Sequence, residues 1–256
     1  MRCASIWLLA ATLFAGGAAL AAHDSRSPTE LLRPYVPMVS METDRRISPS
    51  NLGARFGATG LIRCDGTVGT AQLTLRSDLI TTAAHVLFSA GQPRASCTFQ
   101  PAGGGTPVAI DPQSIRAGSR SPMSEPATRD WAVARLVQPI ARAAPYGLAP
   151  LGEKPAGVVM VGGGNKRADR MGAEQCRARG VLTAAPDGVR EFAIDCNAAP
   201  GSSGAALTAN YKIVGIYVGY RSTDPTRAQA FSATHYNFAI TLEGSFRRAL
   251  LRAAAR

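Results

Sequence analysis

From Gly57 onward the chain consists of short apolar runs separated by glycine, proline, asparagine and aspartate. Examples of these runs are LITTAA, WAVARL, GVVMV, EFAI and KIVGIYVGY. Short runs bounded by turn-forming residues are typical of β-strands, and many of them in succession predict a sandwich or a barrel. No long segment between the runs has the 3.6-residue period of an amphipathic helix, which disfavours a doubly wound α/β sheet. The sequence therefore predicts an all-β fold.

The N-terminus has the features of a secretory signal peptide. A positively charged start precedes a nearly uninterrupted apolar run over residues 6–20, which ends in a small-x-small pattern that a signal peptidase accepts. We predict cleavage near Ala21 or Ala22, so that residues 1–22 are removed and the protein is exported to the periplasm or secreted. An uncleaved membrane anchor is the alternative, but the run is shorter than the roughly 20 residues that cross a bilayer.

Residues 23–52 are rich in serine, proline and charge and have no sustained apolar period. This composition is typical of an irregular leader or prosegment. The predicted domain then occupies residues 53–256. No later segment is apolar enough to span a membrane, so no stable membrane span is expected.

Four cysteines remain once the signal peptide, which contains Cys3, is removed: Cys64, Cys97, Cys176 and Cys196. An even number in an exported chain without a C-x-x-C pair favours two disulfides over a metal site or a redox centre. Three pairings are possible, and buried free thiols are a further alternative. We favour Cys64 with Cys97 and Cys176 with Cys196, because each pair then links residues within one half of the chain.

The formal charge of +11 raises the question of an anionic partner. Nucleic acid and an anionic envelope surface both attract basic proteins. The arginines are scattered, however, apart from a cluster in the last ten residues, and no basic stripe is interleaved with aromatic residues. General surface charge is the preferred interpretation, and no nucleic-acid partner is expected.

One serine lies in a context that suits a nucleophile. Ser203 belongs to the segment PGSSGAAL, in which Gly201 and Gly204 allow the backbone to turn sharply. Such a turn lets the amides of Gly201 and Ser203 point at one spot, as the two donors of an oxyanion hole must. A nucleophilic serine also needs a base within hydrogen-bond reach and a group that orients the base.

Few histidines are available as the base. His23 falls at the predicted cleavage point, which leaves His85 and His235. We favour His85, because it ends an apolar stretch in which small alanines leave room beside a cleft. His235 follows a polar loop and is expected to face solvent or a substrate pocket. Asp130, immediately before WAVARL, is the candidate orienting carboxylate, although each of these residues taken singly also fits an ordinary structural role.

Three segments in this order, TTAAH, RDWAVARL and GSSGAAL, resemble the trypsin and chymotrypsin superfamily of serine peptidases, and within it the bacterial glutamyl-endopeptidase-like branch. They contain His85, Asp130 and Ser203, which are 45 and 73 residues apart along the chain. The resemblance covers about residues 57–250. It implies two six-stranded antiparallel β-barrels with a junction at about residues 137–155 and the active-site cleft between them.

The resemblance also implies a role for each of these residues. Ser203 would attack the scissile carbonyl, His85 would take and return the proton, and Asp130 would fix the tautomer of His85. The amides of Gly201 and Ser203 would hold the oxyanion. This chemistry needs no metal or cofactor, and none is expected.

The chain departs from the family beside the nucleophile. The superfamily often has an aspartate there, which pairs with a new N-terminal amine after the zymogen is cut, whereas this chain has Ser202. The bond between Arg46 and Ile47 resembles a maturation site, but no carboxylate beside Ser203 awaits the released amine. The usual activation switch is therefore not supported.

The specificity pocket departs from the family as well. Glutamate-cleaving members use a histidine in the strand equivalent to GIYVG, and this chain has Tyr217. A glutamate preference is therefore not supported. The resemblance places Ala198, Tyr217, Val218 and Gly219 on the pocket walls, with no acidic residue at the base to attract lysine or arginine. It predicts a modest pocket for small or medium apolar side chains.

Two further segments have simpler interpretations. Residues 243–256 place Phe246, Leu250 and Leu251 on one face and arginines on the other. This pattern predicts a C-terminal amphipathic helix that docks on the second barrel, with a membrane-surface helix as the alternative. The glycine-rich VGGGNKR fails the phosphate-binding pattern G-x-x-x-x-G-K-[ST] and is interpreted as a strand-ending turn.

The preferred function is hydrolysis of protein or peptide substrates by an exported serine endopeptidase. A catalytically silent family member that binds peptides or an envelope partner through the same cleft is one alternative. An esterase that uses the same triad is another. The oligomeric state is left open.

Overall fold

The computed structural model describes residue 46 and the ranges 51–153, 156–165, 167–224 and 227–256. The predicted signal peptide, and all of the predicted leader except residues 46, 51 and 52, lie outside the described residues, so these assignments stay predictions. Among the described residues, no helix is long and apolar enough to cross a membrane.

The first half of the domain forms a closed antiparallel barrel of six strands. The strands of this half are β1 (Thr59–Cys64), β2 (Thr67–Leu73), β3 (Leu79–Thr82), β4 (Phe88–Ser89), β5 (Gln92–Pro93), β6 (Thr98–Pro101), β7 (Val108–Ala117) and β8 (Ala132–Leu136). Around the barrel they pair in the order β1-β2-β3-β8-β7-β6, and β4 and β5 form a separate hairpin. Because Thr82 in β3 lies opposite Ala132 in β8, the segment after β3 and the segment before β8 meet at one end of the barrel.

The second half forms another closed barrel of six antiparallel strands. Its strands, after a short β9 (Gly147–Leu148), are β10 (Ala156–Gly162), β11 (Gly172–Ala184), β12 (Arg190–Ile194), β13 (Ala206–Ala209), β14 (Lys212–Ser222) and β15 (His235–Thr241). The pairing order is β13-β10-β11-β12-β15-β14, and β13 pairs with β14 to close the barrel, while β9 adds to β14 in parallel. The predicted pair of six-stranded barrels is confirmed, and the glycine-rich segment does follow the end of a strand.

Large apolar side chains fill the interior of each barrel. Ile62 and Phe99 are fully buried in the first barrel, and Phe192 and Leu207 are fully buried in the second. Removing a side chain of this size from water stabilises the fold by roughly 1.5–3 kcal/mol. The apolar runs of the sequence therefore correspond to strands that pack inward.

Both favoured disulfides are present. Cys64 at the end of β1 is bonded to Cys97, which immediately precedes β6. Cys176 in β11 is bonded to Cys196, two residues beyond the end of β12. The favoured pairing is confirmed, and each bond joins two segments of a single barrel. Cross-links between residues 33 and 20 positions apart restrict the unfolded chain and stabilise the fold by about 3 kcal/mol each.

In the part of the chain that the structure describes, three α-helices accompany the barrels: α1 (Leu52–Phe56), α2 (Ala84–Leu87) and α3 (Gly244–Ala254). The predicted C-terminal helix is confirmed by α3, but its predicted docking on the second barrel holds only for its start, where Ser245 donates to Asp187 between β11 and β12. The helix packs against β3 and β8 of the first barrel, and its Phe246 ring stacks on Trp131 with 4.9 Å between the ring centroids. The period of a sequence identifies the apolar face of a helix but not the surface that covers it.

The buried face of α3 also differs from the predicted face by one residue. Phe246, Ala249 and Leu250 are buried, whereas Leu251 is 45% exposed. Because successive helical residues are rotated by about 100°, Leu251 lies about 140° from Phe246 around the helix, outside the buried stripe. The leucine that was assigned to the apolar face therefore borders solvent.

We predict that Phe246→Ala lowers the free energy of unfolding by about 3–5 kcal/mol, because it removes a fully buried ring and leaves a cavity against Trp131. Leu251→Ala on the same helix is the matched control. It should change the free energy of unfolding by less than about 1 kcal/mol, since this side chain is nearly half exposed. Urea titrations monitored by tryptophan fluorescence measure both values. Equal effects would show that α3 does not dock through Phe246.

Candidate active site

Two segments at one end of the first barrel bring His85 and Asp130 together. His85 lies in the single turn of α2, just beyond β3, and Asp130 lies two residues before β8, after a 3-10 turn (Ala127–Arg129). The buried neighbours Ala83 and Ala84 are small enough for α2 to pack closely against the barrel. Since β3 and β8 are adjacent, the two side chains meet although they are far apart in sequence.

Both oxygens of the Asp130 carboxylate accept hydrogen bonds from His85. The ring Nδ1 lies 2.6 Å from Oδ2, and the backbone amide nitrogen lies 2.9 Å from Oδ1. Asp130 is 1% exposed, whereas the His85 side chain is 16% exposed. Because a carboxylate can only accept, Nδ1 carries the hydrogen in this pair and Nε2 is left as an acceptor. The carboxylate is thus shielded from water while the ring remains accessible.

A tight turn carries Ser203 in the second barrel. Gly201 and Gly204 have φ angles of +96° and +83°, which glycine adopts without the strain that a side chain would introduce. A Cβ atom on Gly204 would also collide with the carbonyl oxygen of Thr70, so the turn approaches the first barrel closely only because this residue is glycine. The sharp turn predicted around Ser203 is therefore present.

Thr70 in β2 connects this turn to the first barrel. Its backbone amide donates to the Ser203 carbonyl at 2.8 Å, and its hydroxyl donates to the Gly201 carbonyl at 2.7 Å. The same hydroxyl oxygen accepts a hydrogen bond from the Gly163 amide at 2.8 Å. Thr70 is completely buried. One residue of the first barrel therefore holds two segments of the second barrel, the Ser203 turn and the segment at Gly163.

The backbone amides of Gly201 and Ser203 remain available for a ligand, because no described residue accepts a hydrogen bond from either of them. Ser203 and His85 line one cleft of about 500 Å³ between the two barrels. Within the described residues, no hydrogen bond joins the Ser203 hydroxyl to the ring. Catalytic hydrogen bonds of this kind are often long until a substrate is bound. The cleft thus brings a hydroxyl, an imidazole and two amide donors together.

Ser202 lies at the position where the superfamily that the sequence resembles often has an aspartate, and its role here is structural. It is completely buried, and its hydroxyl donates to the Gly163 carbonyl at 3.0 Å. The hydroxyl oxygen accepts from the Ala199 amide at 3.0 Å. Both hydrogen bonds are neutral and lie within the second barrel. The Ser203 turn is therefore braced by a hydroxyl rather than by a carboxylate.

The predicted pocket residues divide into two groups. Ala198, Tyr217 and Val218 line the cleft, and Tyr220 lines it as well. Gly219 is not among the residues that line it. None of the described lining residues has a carboxylate side chain. The part of the cleft beside Ser203 is therefore walled by small and aromatic side chains.

Tyr217, in the wall of the cleft, is held by a buried asparagine. Its hydroxyl donates to Asn237 Oδ1 at 3.2 Å, and Asn237 Nδ2 donates to the Cys196 carbonyl at 2.6 Å. Burial, with a smaller contribution from Tyr220, raises the pKa of Tyr217. The phenol therefore stays neutral, and Tyr217 presents no charge to a substrate.

A buried carboxylate supports the start of the pocket wall. Glu174 in β11 is 2% exposed. Its two oxygens accept from the Asn197 backbone amide at 2.8 Å and from the Asn197 side-chain amide at 3.0 Å. Asn197 immediately precedes Ala198. The position of the pocket wall therefore depends on Glu174.

His235 does not face solvent or a substrate pocket, and that expectation is wrong. It is completely buried in β15, opposite Ser222 in β14, and its Nδ1 lies 2.8 Å from Ser222 Oγ. It is not among the residues that line the cleft. The polar loop before it indicated exposure, but strand pairing buries the side chain. Of the two histidines considered as the base, His85 is the one that lines the same cleft as Ser203.

Three supporting residues were not identified from the sequence: Thr70, Glu174 and Asn237. Threonine is common in strands, so Thr70 gives no signal of its role. Asparagine is depleted in strands, so Asn237 within the strand-like segment HYNFAIT was an available signal, whereas Glu174 precedes the apolar run RGVLTA and gave none. That signal indicates a buried polar contact but not the residue that it contacts.

The sequence matches no protein-family model, and no curated protein is significantly similar to it. Its fold is similar to that of several solved structures. A Glu endopeptidase in complex with MPD is 14% identical, with a TM-score of 0.66 over 85% of this chain and 100% of that chain. The active form of the Rv3671c protease from M. tuberculosis is 18% identical, with a TM-score of 0.56 over 80% and 84%. The thermostable serine protease AL20 is 15% identical, with a TM-score of 0.58 over 79% and 99%. At these identities the similarity establishes the fold.

We predict that Thr70→Val lowers the free energy of unfolding by about 1–3 kcal/mol, because it leaves the Gly163 amide and the Gly201 carbonyl without a buried partner. Thr98→Val, at a partly exposed position in β6, is the control and should change it by about 0.5 kcal/mol or less. Urea unfolding of both variants measures the difference. A stability for Thr70→Val equal to that of the parent would show that this hydroxyl does not hold the turn.

Proposed function

We propose that this chain, which has the double-barrel fold of the serine proteases it resembles, is an exported serine endopeptidase that acts through Ser203, His85 and Asp130. The observation that carries the proposal is the pair of hydrogen bonds from His85 to the buried Asp130, beside a cleft that also contains Ser203. A histidine fixed in this way is prepared to accept a proton at Nε2.

In the first half of the reaction, the Ser203 hydroxyl attacks the carbonyl carbon of the scissile peptide bond and transfers its proton to His85 Nε2. The positive charge that forms on the ring is stabilised by Asp130, which already accepts from Nδ1. The negative charge that forms on the carbonyl oxygen is met by the free amides of Gly201 and Ser203. His85 then donates its proton to the leaving amine, and an acyl-enzyme remains on Ser203.

In the second half, water takes the place of the amine. His85 Nε2 accepts a proton from the water as it attacks the acyl carbon, and the same oxyanion site holds the carbonyl oxygen. When the resulting tetrahedral intermediate collapses, His85 returns the proton to the Ser203 oxygen and the acid product is released. The protein's own side chains therefore account for each proton transfer.

The cleft favours an extended polypeptide as the substrate. It is lined by residues of both barrels, including Phe88 and Arg120 on one side and Ala198 and Tyr220 on the other. A polypeptide bound in this cleft would contact both barrels on either side of the candidate triad. An esterase would use the same triad, so the decisive observation is cleavage of an internal peptide bond in a protein.

We predict that a fluorophosphonate probe labels the protein at Ser203 and that Ser203→Ala abolishes labelling. The same variant should lower the hydrolysis of casein by on the order of 10⁴-fold or more. A serine away from the cleft is the control, because Ser114→Ala in β7 removes a partly buried hydroxyl that contacts only the backbone of the first barrel. That variant should keep the label while losing about 1–2 kcal/mol of stability.

The labelling and cleavage results separate the alternatives. A protein that takes up the probe at Ser203 and cleaves only small esters would be an esterase. A folded protein that takes up no probe, in the same way as Ser203→Ala, would be a binding protein and would contradict the proposed activity.

For specificity, we predict cleavage after small or medium apolar residues, because the wall of the cleft beside Ser203 consists of Ala198, Val218 and the neutral Tyr217. Profiling on a peptide library measures this preference. Tyr217→Ala should shift the preference toward larger apolar residues, since it removes a ring from the pocket wall. Tyr220→Ala is the control for loss of an aromatic ring elsewhere in the cleft. A dominant preference for glutamate, lysine or arginine would exclude a pocket that selects by shape alone.

A further inference from the structure

Arg46 is a residue of the predicted leader that contacts the second barrel. Its Nη1 donates to the Gly164 carbonyl oxygen, with 2.6 Å between the two atoms, and its side chain is partly buried. Together with Gly163, Asn165 and Glu174 it lines a small cavity between β10 and β11. The contact joins residues 118 positions apart in the chain, so it is a tertiary contact and not a local one.

The loop that Arg46 contacts supports the Ser203 turn. The Gly163 amide donates to Thr70 Oγ1 at 2.8 Å, and the Gly163 carbonyl accepts from the Ser202 hydroxyl at 3.0 Å. A displacement of this loop would therefore be transmitted to Ser202, the residue directly before the nucleophile. Arg46 donates to Gly164, the next residue of the same loop, so its guanidinium influences the position of the Ser203 turn.

The cavity that contains Arg46 also contains the carboxylate that supports the pocket wall. Glu174 is almost completely buried, and it holds the backbone and side chain of Asn197. A carboxylate in low-dielectric surroundings is stabilised by a nearby cation. The side chain of Arg46, which lines the same cavity, provides such a cation. Two supports of the site, the loop at Gly164 and the carboxylate of Glu174, therefore border one arginine side chain.

We infer that Arg46 is a positioning residue for the active site: its guanidinium holds the loop at residues 163–165, and through that loop it holds the oxyanion donors of the Ser203 turn. This role rests on the proposed function. It also gives the N-terminal segment a means to act on the turn even though Ser202 has no carboxylate to bind an amine. A chain that begins at Ile47 lacks this guanidinium, so a cut between residues 46 and 47 should lower turnover if the released leader dissociates.

The test uses the chain that remains after signal-peptide removal, residues 23–256, with hydrolysis of a peptide substrate as the readout. Arg46→Ala should lower kcat by about tenfold, the effect expected when one charged hydrogen bond that positions a reacting group is lost. The thermal midpoint should change little, because only one partly buried contact is removed. Arg167→Ala is the matched control, since this arginine lies on the same loop and its side chain is 73% exposed; it should keep the parental kcat.

Two further measurements separate positioning from a general loss of structure. Guanidinium ion at millimolar concentration should restore part of the kcat of Arg46→Ala and should have no such effect on Ser203→Ala. Arg46→Lys keeps a cation that can donate to the Gly164 carbonyl, so its kcat should lie between those of the parent and Arg46→Ala. A chain that starts at Ile47 should behave as Arg46→Ala does, including the response to guanidinium.

Parental kcat in Arg46→Ala would overturn the inference. A loss that neither guanidinium nor Arg46→Lys restores would overturn it as well, because it would indicate damage to the fold. Failure of the proposed function is distinguishable from both outcomes: in that case the parental chain itself takes up no fluorophosphonate and cleaves no peptide.

Discussion

The hydrogen bonds of Thr70 hold the two barrels in the relation on which the candidate site depends. His85 and Asp130 belong to the first barrel, whereas Ser203 and the oxyanion donors belong to the second, so neither barrel contains a complete site. Thr70 extends from the first barrel and binds the Ser203 and Gly201 carbonyls, while its own carbonyl accepts from the Thr82 hydroxyl at 2.6 Å. A satisfied buried hydrogen bond adds only about 1 kcal/mol, but an unsatisfied one costs about 1–3 kcal/mol. Loss of the Thr70 hydroxyl would therefore destabilise the fold and release the turn that carries Ser203.

Each buried carboxylate around the site has a defined task and defined donors. Asp130 accepts twice from His85, and Glu174 accepts twice from Asn197. Asp195 accepts from the Arg177 amide at 2.7 Å. A buried charge without such donors would cost several kcal/mol, so the donors and the carboxylates are interdependent. The nucleophile turn is the exception, because Ser202 braces it with neutral hydrogen bonds alone. Its position is therefore insensitive to the charge state of its own side chains and depends on what the surrounding loops contact.

The features that are local in sequence were the ones that could be predicted. Short apolar runs between turn residues predicted the strands, and the glycines around Ser203 predicted the sharp turn. The division of the cysteines between the two halves of the chain predicted both disulfides. Contacts that depend on how distant segments meet could not be obtained in this way. His235 was predicted to be exposed because its neighbours in the sequence are polar, yet pairing with β14 buries it. The apolar face of α3 could be predicted, but Trp131, which covers it, lies more than a hundred residues earlier in the chain. Thr70 resembles any strand threonine until the second barrel is placed against it.

The same distinction between local and distant contacts bears on how such a site can be controlled. A carboxylate beside the nucleophile would let a single new charge reposition the turn directly, and Ser202 removes that route. The turn still has an external support at Gly163, and the adjacent Gly164 carbonyl is bonded to Arg46. The Gly164 carbonyl oxygen can accept a hydrogen bond from any correctly placed donor, so it does not require an amine released by cleavage. Control in this chain can therefore reside in whether Arg46 stays bonded to the Gly164 carbonyl, and the hydrogen bond between Gly163 and Ser202 carries that contact to the Ser203 turn.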